Sequence, residues 1–238
     1  VLGVGDNLEL VHRAISRAAE KIGADRGAVL LIAVSKKQSV VAMREYIQAA
    51  NSLGIPVVFG ENYIQELRDK RAEFGSDVEF HLIGPLQSNK TREAVRLADV
   101  IQSVHSLKIL ELIAKEAQIA GKRQRIFLQV NIGEDPNKSG FSAEHLGDVF
   151  DAVKRHRDTL SVEGLMTITP FYDQPEMARL DFRAMSALRS RLIDDGFHHQ
   201  FADSKILLSM GMSADFEIAI EEGANLARVG TAIFGERS

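Results

Sequence analysis

Residues 29–37 read Val29-Leu30-Leu31-Ile32-Ala33-Val34-Ser35-Lys36-Lys37, six apolar residues that stop abruptly at a hydroxyl and two amines. A run this short, with branched side chains, fits a strand buried on both faces. Ahead of it, residues 7–23 carry Leu8, Val11, Ile15, Ala18, Ala19 and Ile22 on one helical face, and Gly23 suits the C-terminal end. After it the same alternation continues. Helical patterns cover 39–51, 63–74, 89–97, 106–120, 142–155, 176–194 and 214–222; short apolar runs cover 57–59, 79–83, 100–103, 125–132, 162–168, 206–209 and 226–229. With 29–34 that makes eight strands separated by helices, plus one helix in front. Regular alternation implies a parallel sheet. Eight units in 238 residues favour one closed (β/α)₈ TIM barrel, with an additional N-terminal helix, over an open doubly wound sheet. No linker or low-complexity segment divides the chain, so residues 1–238 are expected to form a single domain.

Composition narrows the function. The chain has no cysteine, which excludes disulfides, thiolate nucleophiles and cysteine zinc sites and fits a reducing compartment. A net charge of −4 gives no reason to expect nucleic-acid or membrane-surface binding. No apolar run approaches the ~20 residues of a membrane span, and the short N-terminus carries no basic signal region, so a cytoplasmic location is expected. No histidine or carboxylate spacing resembles a metal site, and neither a dinucleotide-binding glycine motif nor a Walker loop is present.

In a barrel the active face lies at the C-terminal ends of the strands. Here those ends are rich in Lys, Asn, Ser, Gly and Arg. Ser209-Met210-Gly211-Met212-Ser213 follows the seventh strand and Gly230-Thr231 the eighth, where barrels of this kind commonly hold phosphate on backbone amides and hydroxyls. Ser213 is also expected to cap the helix after it. Lys36, at the end of the first strand, is a candidate nucleophile for an aldehyde once its amine is partly desolvated. Lys37 is adjacent, and spacing alone does not choose between them. Arg228 is open to two readings: a donor to a pyridine nitrogen, or an ion pair with a buried carboxylate.

These residues carry a resemblance. The stretches Ala33-Val34-Ser35-Lys36, Phe59 through Glu66, His81 through Lys90, Val130-Asn131 with Lys138-Ser139-Gly140, Gly164 through Thr167, Leu208 through Ser213 and Arg228 through Gly235 span the chain in order. Together they closely resemble the YggS/PROSC family of pyridoxal 5′-phosphate (PLP) homeostasis proteins, whose fold is that of the N-terminal barrel of alanine racemase. The resemblance implies PLP held as a Schiff base on Lys36, with Arg228 at the pyridine nitrogen. It places Ser209, Ser213, Gly230 and Thr231 around the phosphate, the division between the two serines left open, with Met210 and Gly211 in the same loop and Asn62 and Met166 nearby. Lys138 matches a family lysine that is a second contact or transfer site. The implied role is carrying, buffering or delivering the vitamer, with PLP-dependent apoenzymes as transient recipients, effects on amino-acid balance, and a monomeric state.

The alternative is a PLP-dependent amino-acid racemase. Arginine at the ring nitrogen weakens the cofactor as an electron sink, although alanine racemase works with one. Racemisation also needs a second acid/base, which a tyrosine of a separate C-terminal domain supplies in alanine racemase. With the chain stopping at Ser238, no such domain is expected, and only Tyr46, Tyr63 and Tyr172 are available.

Overall fold

The first strand ends on polar residues because the structure continues there into a loop at one mouth of a barrel. A computed structural model describes residues 2–25, 27–133, 135 and 138–236, so the outermost residues of the expected 1–238 domain lie outside it. The order is α1 (Val4–Lys21), β1 (Leu30–Val34), α2 (Val40–Leu53), β2 (Val58–Glu61), α3 (Ile64–Phe74), β3 (Glu79–Leu82), α4 (Thr91–Leu97), β4 (Val100–Val104) and α5 (Leu107–Ile119). It continues with β5 (Gln124–Gln129), α6 (Leu146–Arg155), β6 (Leu160–Met166), α7 (Arg179–Asp194), β7 (Leu207–Ser209), α8 (Phe216–Glu221), β8 (Leu226–Val229) and α9 (Thr231–Phe234). The strands pair in parallel in chain order, and β8 closes on β1 to complete the eight-stranded barrel that the alternation predicts.

Side-chain alternation sorts the strand residues into two cores. Ile32, Val58, Val100, Phe127, Met166 and Leu226 fill the barrel interior. Their neighbours Leu31, Ala33, Phe59, Phe80, Leu82, Leu165, Leu208 and Val229 face the helices and join the larger outer core. Helix starts follow local chemistry: the Ser39 hydroxyl accepts from the Ala42 amide at the head of α2, and Ser106 accepts from Ile109 at the head of α5. The extra helix α1 packs on α2, α8 and α9, outside the β1–β8 closure. Its Asn7 amide donates to the Ile233 carbonyl at 3.0 Å, pinning it to the C-terminal α9.

Differences from the sequence reading are local. The helices expected at 89–97, 142–155 and 176–194 each open with a 3₁₀ turn, at Ser88–Lys90, Ala143–His145 and Pro175–Ala178. Two further 3₁₀ turns, Phe197–Gln200 and Ala202–Ser204, fill the connection from α7 to β7, and α9 is a single added turn. All are too short to show a hydrophobic period.

One glycine is demanded by the sheet. A Cβ on Gly164 in β6 would lie 1.9 Å from the Leu207 carbonyl oxygen of β7. That contact is with backbone and cannot swing aside. Gly164→Ala is expected to destabilise the fold by about 2 kcal/mol or more, read as a lower urea midpoint at unchanged slope.

Candidate functional site

The closing pair β1–β8 brings the first-strand lysine to the last-strand arginine. Ile32 is level with Arg228 and Ala33 with Val229, so Lys36 and Gly230-Thr231 leave the sheet side by side at the C-terminal mouth. A Cβ on Gly230 would already sit 3.2 Å from the Val34 Cβ, which shows how closely the two strand ends approach.

The two lysines separate. Lys37 is exposed, in a left-handed conformation with φ of 61°. It lines an outer cleft of about 530 Å³ with Gln38, Ser39, Glu66 and Lys70. Lys36 is half-buried, and the alternation that sends Ile32 inward and Ser35 outward assigns it to the mouth side.

The backbone around Lys36 is clamped from behind. Ser35 Oγ donates to Glu61 Oε1 at 2.6 Å, and its amide donates to the Gly60 carbonyl at 3.0 Å. Lys70, from α3, donates to the Ser35 carbonyl and to Glu61 Oε1, both at 2.6 Å, and to Glu66 Oε2 at 3.2 Å. Glu66 also accepts the Lys37 amide at 2.6 Å. Glu61 is fully buried, and burial pushes its carboxyl up against the opposing pull of Lys70 and Ser35.

Arg228 is buried inside the top of the barrel. Its Nη1 donates to Ser209 Oγ and its Nη2 to the Thr167 carbonyl, both at 2.7 Å. Among the described residues no carboxylate pairs with it, so the ion-pair reading does not hold. Burial lowers its pKa to about 10, with Asp215 opposing. A buried guanidinium held only by neutral acceptors is costly unless a further acceptor meets it.

Below Arg228 a polar string descends the interior. Ser209 Oγ donates to Gln102 Oε1 at 2.6 Å; Gln102 Nε2 meets His81 Nδ1 at 2.8 Å; His81 Nε2 meets Glu79 Oε1 at 2.8 Å. At the opposite mouth Arg125 bridges Glu79 at 2.7 Å and Glu163 at 2.6 Å. Hydrogen bonding from His81, ahead of the charge of Arg125, draws the Glu79 carboxyl down to about 2.

The two serines divide. The Ser209 hydroxyl is fully committed to Arg228 and Gln102. Ser213 does not cap the next helix as its position suggested: α8 starts at Phe216, with Asp215 ahead of it. Its Oγ instead accepts the amides of Gly230 at 3.0 Å and Ala232 at 3.4 Å, tying the β7 loop to the β8 loop. Gly211 turns that loop at φ of 90°, where a Cβ would lie 2.9 Å from Phe216 Cα. Met210 is fully buried in the outer core, and Met166, the last residue of β6, is fully buried in the interior core. Thr231 is exposed at the first turn of α9. Asn62 and Tyr63 line a cleft of about 250 Å³ with Gln87 and Lys90. Lys138 lines another with Ile83, Asn131 and Ile168, donates to the Ile168 carbonyl at 3.3 Å, and has its amine pKa lowered by burial.

The sequence reading missed Lys70, Gln102 and the buried roles of Glu61, His81 and Glu79. Polar residues at inward strand positions, His81 two after Glu79 and Gln102 two after Val100, were the available signal.

The family model for the alanine racemase N-terminal domain matches residues 7–238. The chain belongs to this family. A Pseudomonas aeruginosa relative named pyridoxal phosphate homeostasis protein is 37% identical over 98% of this chain and 96% of its own length. The solved structure of PipY from Synechococcus elongatus, with PLP bound, superposes with a TM-score of 0.78 at 32% identity, covering 93% of this chain and 99% of that one. Alanine racemase from Clostridium difficile shares the fold, with a TM-score of 0.70 at 17% identity, covering 98% of this chain and 56% of its own.

Lys70→Met strands the Glu61 carboxylate and is expected to cost about 3–5 kcal/mol in urea unfolding at neutral pH. Glu79 has a folded pKa below its ordinary value of 4.5, so its contribution is complete above that pH and is lost as pH falls toward 2. Glu79→Gln is therefore expected to destabilise at pH 7 and to flatten the acid limb of the stability profile between those limits.

Proposed function

We propose that this protein binds PLP at the C-terminal mouth of the barrel and serves PLP homeostasis, with Lys36 as the covalent anchor. PLP supplies an aldehyde that an amine can capture, an aromatic ring nitrogen and a phosphate. The donor set fits all three. Lys36 offers an amine on a clamped backbone, Arg228 a buried guanidinium with neutral partners, and the Gly211–Ser213 and Gly230–Thr231 loops a glycine-lined, hydroxyl-bearing cradle for an anion. The observation that carries the reading is Arg228. A buried cation without a carboxylate partner calls for an outside acceptor, and a ring nitrogen is one.

In this reading Ser213, Gly230 and Thr231 hold the phosphate. Ser209 acts one layer behind, as the acceptor that holds Arg228, and Asn62 borders the ring. Arg228 keeps the ring nitrogen unprotonated, which suits storage better than carbanion chemistry. Two of the three phenols, Tyr46 and Tyr172, point the same way. Tyr46 is buried in the outer core against Phe59, and the Tyr172 hydroxyl is tied to Asp181 at 2.8 Å, with burial and that bond raising its pKa to about 12. The role is to hold, buffer or deliver the vitamer to PLP-dependent apoenzymes as a cytoplasmic monomer, with amino-acid balance affected through them. No described helix is long and apolar enough to cross a membrane.

The test is absorption of the PLP-treated protein, wild type and Lys36→Ala, followed by borohydride reduction and peptide mapping. A pyridoxyl label on Lys36 in the wild type, with at least about tenfold less bound cofactor in Lys36→Ala, is expected. A label confined to Lys37 or Lys138 would sink the assignment.

A further inference from the structure

The polar string beneath Arg228 has a direction. Arg125 and Glu163 fix its lower end, and the Glu79 carboxylate there can only accept. His81 therefore gives Glu79 its Nε2 hydrogen, which leaves Nδ1 bare in the neutral ring and requires a donor at Gln102. The Gln102 amide must then turn its NH₂ to His81 and its oxygen to Ser209. Ser209 has one hydrogen, and it goes to that oxygen at 2.6 Å. Only lone pairs are left toward Arg228, and a guanidinium is a donor alone. Every bond from Arg228 to Glu79 thus donates the same way, over five residues from four strands and the two ends of the barrel.

We propose that Gln102 and His81, anchored on Glu79, are positioning residues for Arg228: they lock the Ser209 hydroxyl as an acceptor and so hold the guanidinium in one orientation at the cofactor ring. The inference rests on the reading of Arg228 as the ring-nitrogen donor. The string itself is buried from Arg228 through His81; among the described residues, Glu79, Arg125 and Glu163 are the charges that face its lower end, and Asp215 acts on its upper end. If the string served only as core filling, a buried apolar residue would replace Gln102 with least harm and a carboxylate with most. The directional role reverses that order. Gln102→Leu frees the Ser209 hydrogen and removes the acceptor that held it. Gln102→Glu still accepts from Ser209, and one proton shared between the new carboxyl and His81 Nδ1 keeps that contact hydrogen-bonded.

The experiment compares wild type, Gln102→Leu and Gln102→Glu by PLP titration followed in absorbance, with borohydride mapping of each. Gln102→Leu is expected to raise the apparent Kd for PLP at least about tenfold and to shift the absorption maximum, the label still on Lys36. Gln102→Glu is expected to return both to near the wild type. Leucine tolerated better than glutamate overturns the proposal. Because a glutamate variant can fail to fold, the ligand-free wild type is also examined by long-range ¹H–¹⁵N correlation of the His81 ring. A bare, accepting Nδ1 with a protonated Nε2 supports the string's direction, and a protonated Nδ1 overturns it. Absence of a Lys36 label in the wild type would remove the cofactor reading while the ring spectrum still decides the direction.

Discussion

Closure of β8 on β1 is the constraint on which the site depends. That pairing, Leu30 with Leu226 through Ala33 with Val229, joins the two ends of the chain. Without it Lys36 and Arg228, 192 positions apart, belong to opposite edges of an open sheet. With it the amine, the guanidinium and the glycine turns of the last two strands share one mouth. Parallel pairing also aligns every strand end, so the polar residues after each apolar run converge. The helix α1, with Asn7 bonded to the Ile233 carbonyl, covers this closure from outside.

Around that closure the barrel keeps polar groups on both faces of its sheet. On the outer side, Lys70 and Glu61 form a buried ion pair whose bonds fall on Ser35, next to Lys36. A pair of this kind is poor value for stability alone, since two ions leave water to make it. Its geometric effect is to fix where the strand ends. On the inner side, the string from Arg228 to Glu79 replaces apolar packing along part of the barrel axis. Both arrangements trade some core burial for a defined geometry at the mouth.

The architecture was legible because β/α alternation leaves a strong trace: apolar runs of strand length, helical stripes, and a glycine or proline at many junctions. The 3₁₀ turns and α9 left none, being shorter than a helical period. Of the candidate site, Lys36, Arg228 and the two loops could be singled out from their places at strand ends, helped by resemblance. The choice between Lys36 and Lys37 was not, because it depends on strand phase, and the left-handed turn at Lys37 sets it outside. The split between Ser209 and Ser213 was hidden for a similar reason. One is an inward strand residue meeting Gln102 from a distant strand, the other a loop residue meeting backbone amides from β8 onward. Long-range pairings between polar side chains leave no periodic signal in one sequence.

The most direct measurement is a crystal structure of this protein with PLP. The account predicts the ring nitrogen within hydrogen-bond distance of the Arg228 guanidinium, the phosphate against Ser213, Gly230 and Thr231, and continuous density from Lys36 to the cofactor. PLP seated elsewhere, or seated in the mouth with its ring turned so that Arg228 meets no acceptor, would contradict it.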